Sequence, residues 1–214
     1  MTQAVREKTE KPQRLYDRIA DVQNLAMKVN GYRASVAKYL KSLDLKIDSD
    51  SVILDAGSGT GVVSQAFQDA GFRAKQSIAL DLSFNSLKLS REEFNKRRKY
   101  ARSIDAVQGN VLKLPFSDDT FDLMLMCGVL EYTPLDDGLA EASRVLKKGA
   151  PLVLLPVKQS LVGSVLELFY NFKIHKLSEV HSAAMKYFKI VGNYEFPVTE
   201  PISWSKTIFL LEKK

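Results

Sequence analysis

The stretch VILDAGSGTG, Val52 to Gly61, decides the fold. It opens on a short aliphatic run, passes through Asp55, and ends in a turn with glycine at 57, 59 and 61. From Gly61 to Ala70 the spacing is helical, and Gly71 supplies a stop. Open α/β sheets hold nucleotides in such a place. Ligands bind beyond the carboxyl ends of the strands, glycines let the backbone approach closely, and the following helix offers free N–H groups and a positive dipole end. Spacing then discriminates. A dinucleotide turn reads G-x-G-x-x-G, but here the third glycine comes one residue early and Val62 occupies the required place. No G-x-x-x-x-G-K-[ST] occurs, which argues against a P-loop. A glycine-rich turn that binds nothing is the competing reading.

Outward from this turn, strands and helices alternate. Ile78–Leu82 is a strand, Ser83 a plausible N-cap, and a helix follows to about Tyr100. Ile104–Val107 and Phe121–Met126 are further strands, the latter apolar after Asp122, as in a strand covered on both faces. A helix spans Leu135–Leu146, Gly149 stops it, and Pro151–Pro156 holds a fifth strand. The rhythm predicts a Rossmann-like, doubly wound, mostly parallel α/β sheet. Tyr187–Phe196 and Lys206–Glu212 read as two strands joined by a short Pro-containing loop, so an antiparallel hairpin ends a seven-stranded sheet. Upstream, Leu15, Ile19, Val22 and Leu25 give one helix after a polar tail of residues 1–11, and Val36, Tyr39, Leu40 and Leu43 a second.

Two further positions bear on a ligand. Asp81 ends the second strand, where a carboxylate can accept from both hydroxyls of a ribose. Capping the next helix is its alternative role, for which Ser83 is better placed. Asn110 closes the third strand in Gln108-Gly109-Asn110-Val111, where a side-chain amide could read an adenine edge. Phe116, in Leu114-Pro115-Phe116, packs under a ring or, more simply, into the core.

Taken together, Val52 to Val157 resembles a class I S-adenosylmethionine-dependent methyltransferase. VILDAGSGTG is similar to the family's first motif and ALDLS to its second. GNVLKLPFSDDTFDLMLMCGVLEY resembles the segment through its fourth strand, and ASRVLKKGAPLVLL the helix, turn and strand that follow. LPF…FD and YDRIA at Tyr16–Ala20 resemble the small-molecule and lipid branch that includes ubiquinone and menaquinone methyltransferases. The resemblance implies that Gly57, Ser58, Gly59 and Gly61 line the methionine part of S-adenosyl-L-methionine, with Asp55 holding its ammonium directly or through water. It implies Asp81 on the ribose, Leu82 against adenine, Asn110 and Val111 at the adenine edge, and Cys127 with Gly128 beside the sulfonium. Asn110 departs from the family, which often has Asp there.

The same resemblance makes residues 47–214 the cofactor domain and residues 1–46 helices that cover the acceptor site, all in one compact unit. No catalytic base is strictly required for a readily ionised phenol or a free amine. Glu131, Tyr16, Tyr32, Tyr132 and His175 are the acceptor-side candidates. His175 and His181 sit six apart, a poor metal pair on one helix face, and no metal is expected. The expected activity is methyl transfer to O or N of a small-molecule or lipid-like acceptor. RNA or protein as acceptor, or a non-catalytic cofactor-binding domain, are the alternatives.

Composition sets the boundaries. The chain has 214 residues, 45% apolar and 26% charged, which suits one globular domain and excludes a disordered chain. The net charge of +6 favours acidic partners without requiring them. Lys96-Arg97-Arg98-Lys99 with Arg102 could touch RNA or anionic lipid, or simply complement a helix end. Cys127-Gly128-Val129-Leu130 stands where base-amine methyltransferases carry an Asn/Asp-Pro-Pro-aromatic motif, which argues against nucleic acid. Leu161, Val165, Leu168, Phe169 and Phe172 share one helical face, either core or a contact for a lipid-like acceptor or membrane surface. A lone cysteine and the absence of a signal-like or spanning apolar run point to the cytoplasm, with peripheral membrane contact as an option.

Overall fold

Neither side of VILDA carries a solvated side chain, so β1 (Val52–Ala56) belongs in the middle of a sheet. The structure, a computed structural model, describes residues 31–96, 104–170 and 172–214. The first helix expected from the sequence, with Tyr16, YDRIA and most of the 1–46 segment, lies outside the described residues. So do positions 97 to 99 and 102 of the basic run. Around β1 the chain lays down β2 (Gln76–Asp81), β3 (Asp105–Gln108), β4 (Leu123–Cys127), β5 (Pro151–Leu155), β6 (Phe188–Tyr194) and β7 (Ile208–Lys213). They form one seven-stranded sheet in the order β3-β2-β1-β4-β5-β7-β6.

Strands β1 to β5 pair in parallel, and β7 runs antiparallel to both β5 and β6. The expected mixed sheet with its C-terminal hairpin is therefore present. Strand order reverses between β1 and β4, so their carboxyl ends open the crevice where such sheets take ligands.

The side-chain period of a strand divides the core in two. Ile53, Leu123, Leu125, Val153 and Leu155 face one side and pack with Val36 and Leu40 of α1 (Tyr32–Ser42) and Val63 and Phe67 of α2 (Val62–Asp69). Leu54, Leu80, Met124, Met126, Leu152 and Leu154 face the other side. They meet Leu139, Ala142 and Val145 of α4 (Leu135–Val145) and Val180 and Ala184 of α6 (Leu177–Tyr187). α3 (Phe84–Lys96) starts on the Ser83 cap, whose Oγ accepts the Ser86 N–H at 3.1 Å. α5 (Leu161–Tyr170) contacts the 3-10 turn Pro201–Trp204. No helix among the described residues is long and apolar enough to cross a membrane.

Two elements depart from the sequence expectation. α6 is absent from it, although Val180 and Ala184 have helical spacing and are buried. The final strand begins at Ile208 rather than Lys206, which leaves Lys206 in the connection before it. Phe116 does go to the core, edge-on to Phe121 with ring centroids 4.9 Å apart.

Candidate active site

The glycine turn is built from its tightest contacts outward. Gly57 has φ +72°, and a Cβ there would lie 2.2 Å from Val129 Cγ2. Gly61 has φ +79°, and its Cβ would lie 2.3 Å from Ser90 Oγ on α3. These two glycines are required by protein packing as well as by backbone conformation. Gly59, at φ +53°, differs: a Cβ there would meet nothing within 4 Å. The middle of the turn is the part open to a ligand.

Asp81 at the end of β2 grips that middle. Its Oδ2 accepts the Gly59 N–H at 2.8 Å and its Oδ1 accepts the Ser83 N–H at 2.9 Å. The side chain fixes the turn and the start of α3 at once. Beside it, Leu82 is exposed. Asn110 spends its Oδ1 on the Leu112 N–H at 2.9 Å, an Asx turn, which leaves its NH₂ as the group for a ligand edge. Val111 is buried in the core beneath. Arg144 holds this segment down, donating to Leu114 O at 3.1 Å, Phe116 O at 2.9 Å and Asp118 at 2.7 Å while paired with Glu141.

Asp55 is 2% exposed. Its Oδ2 accepts the Ser64 N–H at 3.0 Å and the Ser64 hydroxyl at 2.5 Å, while Oδ1 is buried with no partner. Burial pushes this carboxyl up to about 7, against the opposing pull of Ser64 and with help from the Asp81 charge. Ser58 Oγ is a second buried atom with no partner in the same turn. Orphaned acceptors at the carboxyl end of β1 fit a ligand that brings a cation and donors.

At the end of β4, Cys127 Sγ and Tyr32 Oη are 2.9 Å apart. Burial raises the thiol, with Lys206 and Tyr32 pulling it back. Burial likewise raises the Tyr32 phenol well above its usual range, reinforced by Cys127, Glu131 and Asp55. Both groups are protonated at neutral pH, so Tyr32 serves as a hydrogen-bonding group there rather than a base. Glu131 is 5% exposed. Its Oε1 accepts the Val157 N–H, and its Oε2 is buried without a partner. His175 is half-buried, with Nε2 3.2 Å from Leu130 O, in a segment that lies against the turn after β4. Lys173 donates to Glu131 O at 3.0 Å, and Phe172 meets the Tyr132 ring edge-on at 5.2 Å. His181 is exposed. Among the described residues no group of His, Cys, Asp and Glu could hold a metal ion. Lys206, read from the sequence only as the start of a strand, is 6% exposed at the same edge of the sheet. No local motif marks it, because only the sheet order brings residue 206 beside residues 127 and 155.

The "Methyltransferase domain" family model matches residues 54–154 of this chain. An uncharacterized protein of Methanocaldococcus jannaschii is 34% identical over 182 residues, covering 81% of this chain and 72% of its own length. The chain belongs to the class I S-adenosylmethionine-dependent methyltransferases. The methyltransferase is also 30% identical, over 136 residues, to a ubiquinone/menaquinone biosynthesis C-methyltransferase of Agrobacterium fabrum, covering 63% of this chain and 52% of that one. It thus spans about half the length of that quinone enzyme. In three dimensions it superposes on a geranyl diphosphate C-methyltransferase of Streptomyces coelicolor, crystallised with S-adenosyl-L-homocysteine, at a TM-score of 0.67. That likeness has 16% identity and covers 83% of this methyltransferase and 78% of the other chain.

Proposed function

We propose that this methyltransferase binds S-adenosylmethionine in the crevice between β1 and β4 and methylates a small, lipid-like acceptor held beside Cys127. One observation supports the reading above the others: the open middle of the glycine turn is tied to Asp81 and flanked by the orphaned acceptors of Asp55 and Ser58. When bound, the cofactor supplies an electrophilic methyl on a sulfonium, so the protein needs to orient and desolvate more than to activate.

Asp55 Oδ1 takes the methionine ammonium, directly or through water, and Ser58 Oγ lies in the same turn. The Asp81 carboxylate, at the end of β2 beside the open middle of the turn, takes the ribose hydroxyls. Leu82 supplies an apolar surface for adenine, and the Asn110 amide and Val111 meet its edge. Tyr32 and Cys127 close the acceptor side, with Glu131 holding the β4 and β5 exits together through Val157. The acceptor atom is O, N or C. Carbon joins the sequence expectation because the Agrobacterium relative carries C-methyltransferase in its name. Calorimetry with S-adenosylmethionine on wild type and Asp81→Ala tests the site, and undiminished affinity in the variant refutes it.

A second reading concerns where the acceptor comes from. On α5, Leu161 is 90% and Leu168 82% exposed, with Val165 and the neighbouring Trp204 also exposed. The apolar face, for which the sequence left core and contact surface both open, is therefore bare along these positions. Lys173 and Lys176 stand exposed just beyond it. An apolar face beside basic residues and a tryptophan suits the interface of an anionic bilayer. The setting we propose is cytoplasmic with peripheral membrane contact. Cosedimentation with anionic and neutral vesicles, and its loss in Leu161→Ser/Leu168→Ser, checks this.

A further inference from the structure

Lys206 is a buried cation that the cofactor site does not use. A backbone bridge sets it opposite Val157, at the exit of β5. Its ammonium reaches back to Leu155 O at 3.4 Å, a long bond to a carbonyl that already accepts the Gly128 N–H at 3.1 Å. The same ammonium lies 2.8 Å from where a Cβ on Gly128 would sit, so it rests on the Cys127–Gly128 turn at the carboxyl end of β4. An ammonium has three protons to donate. Among the described residues Lys206 makes only this one weak bond through its ammonium and no ion pair within 4.0 Å. Removing an ammonium from water without a counter-charge costs several kcal/mol.

Other polar groups act on Cys127, beside the same turn. Cys127 comes from β4, Tyr32 from α1, Glu131 from the turn after β4, and Asp55 from β1. Cys127 lies in the field of Lys206, Glu131 and Asp55 together. Tyr32 and Cys127 hold their protons at neutral pH and cannot ionise an acceptor.

We propose that Lys206 binds the ionised hydroxyl of the acceptor, a phenolate or enolate, and thereby selects acceptors that can carry that charge. The inference rests on the methyltransferase reading and adds the acceptor's chemical class to it. Pairing with the ammonium favours the charged form of the hydroxyl, and its proton leaves to solvent. The acceptor becomes an electron-rich nucleophile through electrostatics, without proton transfer to Tyr32 or Cys127.

The test uses the full chain loaded with S-adenosylhomocysteine and 4-nitrophenol as the probe, because ionisation of that phenol is read directly by colour. 4-Nitroanisole, which cannot ionise, and 4-nitrobenzoate, a carboxylate, are the other arms. In wild type, bound 4-nitrophenol should titrate about one pH unit below the free phenol and bind about ten-fold more tightly than 4-nitroanisole. Lys206→Met should abolish both effects, Lys206→Arg should retain part of the preference, and both should bind S-adenosylhomocysteine as wild type does. Equal binding of phenol and anisole by wild type overturns the proposal, as does a Lys206→Met protein that keeps the titration shift. Binding of 4-nitrobenzoate alone, with no shift of the phenol, overturns the ionised-hydroxyl assignment. A wild-type chain that fails to bind S-adenosylhomocysteine refutes the cofactor site itself, whereas a failure confined to the phenol leaves that site standing.

Discussion

Binding of the cofactor should expel a proton from Asp55. In the free protein the carboxyl stands at about 7, against an ordinary value of 3.8, because burial outweighs the two hydrogen bonds from Ser64. Between about pH 4 and pH 7 the folded chain therefore holds a proton that the unfolded chain has lost. The stability this group contributes is complete below the lower value and is lost as pH rises through the upper one. The span of about three pH units sets an upper bound of about 4 kcal/mol. A ligand ammonium at the orphaned Oδ1 favours the charged form and draws the value down. About half a proton per cofactor should leave at pH 7, nearly one at about pH 6, and almost none at about pH 8.5. Affinity should rise up to ten-fold per pH unit below pH 7 and level off above it. Calorimetry in buffers of different ionisation enthalpy counts these protons. Asp55→Asn should remove both the release and the pH slope of binding. A binding enthalpy independent of buffer at pH 6 and pH 7, or the same release from Asp55→Asn, would refute the argument.

The other expectations concern the frame around this group. Asp81→Ala removes two charge-assisted bonds that fix the turn along with the proposed ribose contacts, so cofactor affinity should fall by about a hundred-fold or more in the same calorimetry. Gly57→Ala places a methyl 2.2 Å from Val129 in a left-handed backbone, and its thermal midpoint should drop by several degrees. Arg144→Met releases the segment from Leu114 to Asp118 and should cost on the order of 2 kcal/mol in urea unfolding, a figure reduced for the partial exposure of the guanidinium. Tyr32→Phe should leave S-adenosylhomocysteine affinity within about two-fold while weakening acceptor binding, because Tyr32 meets Cys127 rather than the glycine turn.

How much could be read in advance followed the range of the interactions. VILDAGSGTG announced its strand, turn and helix because backbone sterics and burial act within ten residues. The place of Asp81 at the end of a strand and the Ser83 cap are both local features and are legible in the sequence. Two roles were hidden. The tight fit of Gly57 on Val129 and of Gly61 on Ser90 joins residues distant in sequence, so the local pattern marks the turn but not this packing. α6 is weakly marked in the sequence: its polar, histidine-bearing start in KIHKLSEVHS gives no clear helix signal, although the buried Val180 and Ala184 follow helical spacing. Lys206 was assigned to a strand, where a lysine is unremarked. Its burial arises only because β7 inserts between β5 and β6 and carries the preceding residue to the mouth of the crevice.

That insertion bears on the chemistry. A parallel sheet ending at β5 would leave the carboxyl ends of β4 and β5 with backbone groups and the residues of their own loops. Placing β7 antiparallel beside β5 puts its amino end, and hence Lys206, at that same edge. Buried polar atoms without partners lie at the carboxyl ends of the neighbouring strands: Asp55 Oδ1 near the end of β1, Ser58 Oγ just after it, and Glu131 Oε2 after β4. Unpaired polar groups are costly in a core and are retained where a ligand completes them. The carboxylate of β1 and the ammonium before β7 stand at ends of different strands, with Cys127 in the field of both. A cationic methyl donor seated against the first and an anionic acceptor against the second would each neutralise a buried charge. They would also approach each other with opposite charge, and methyl transfer would then cancel both.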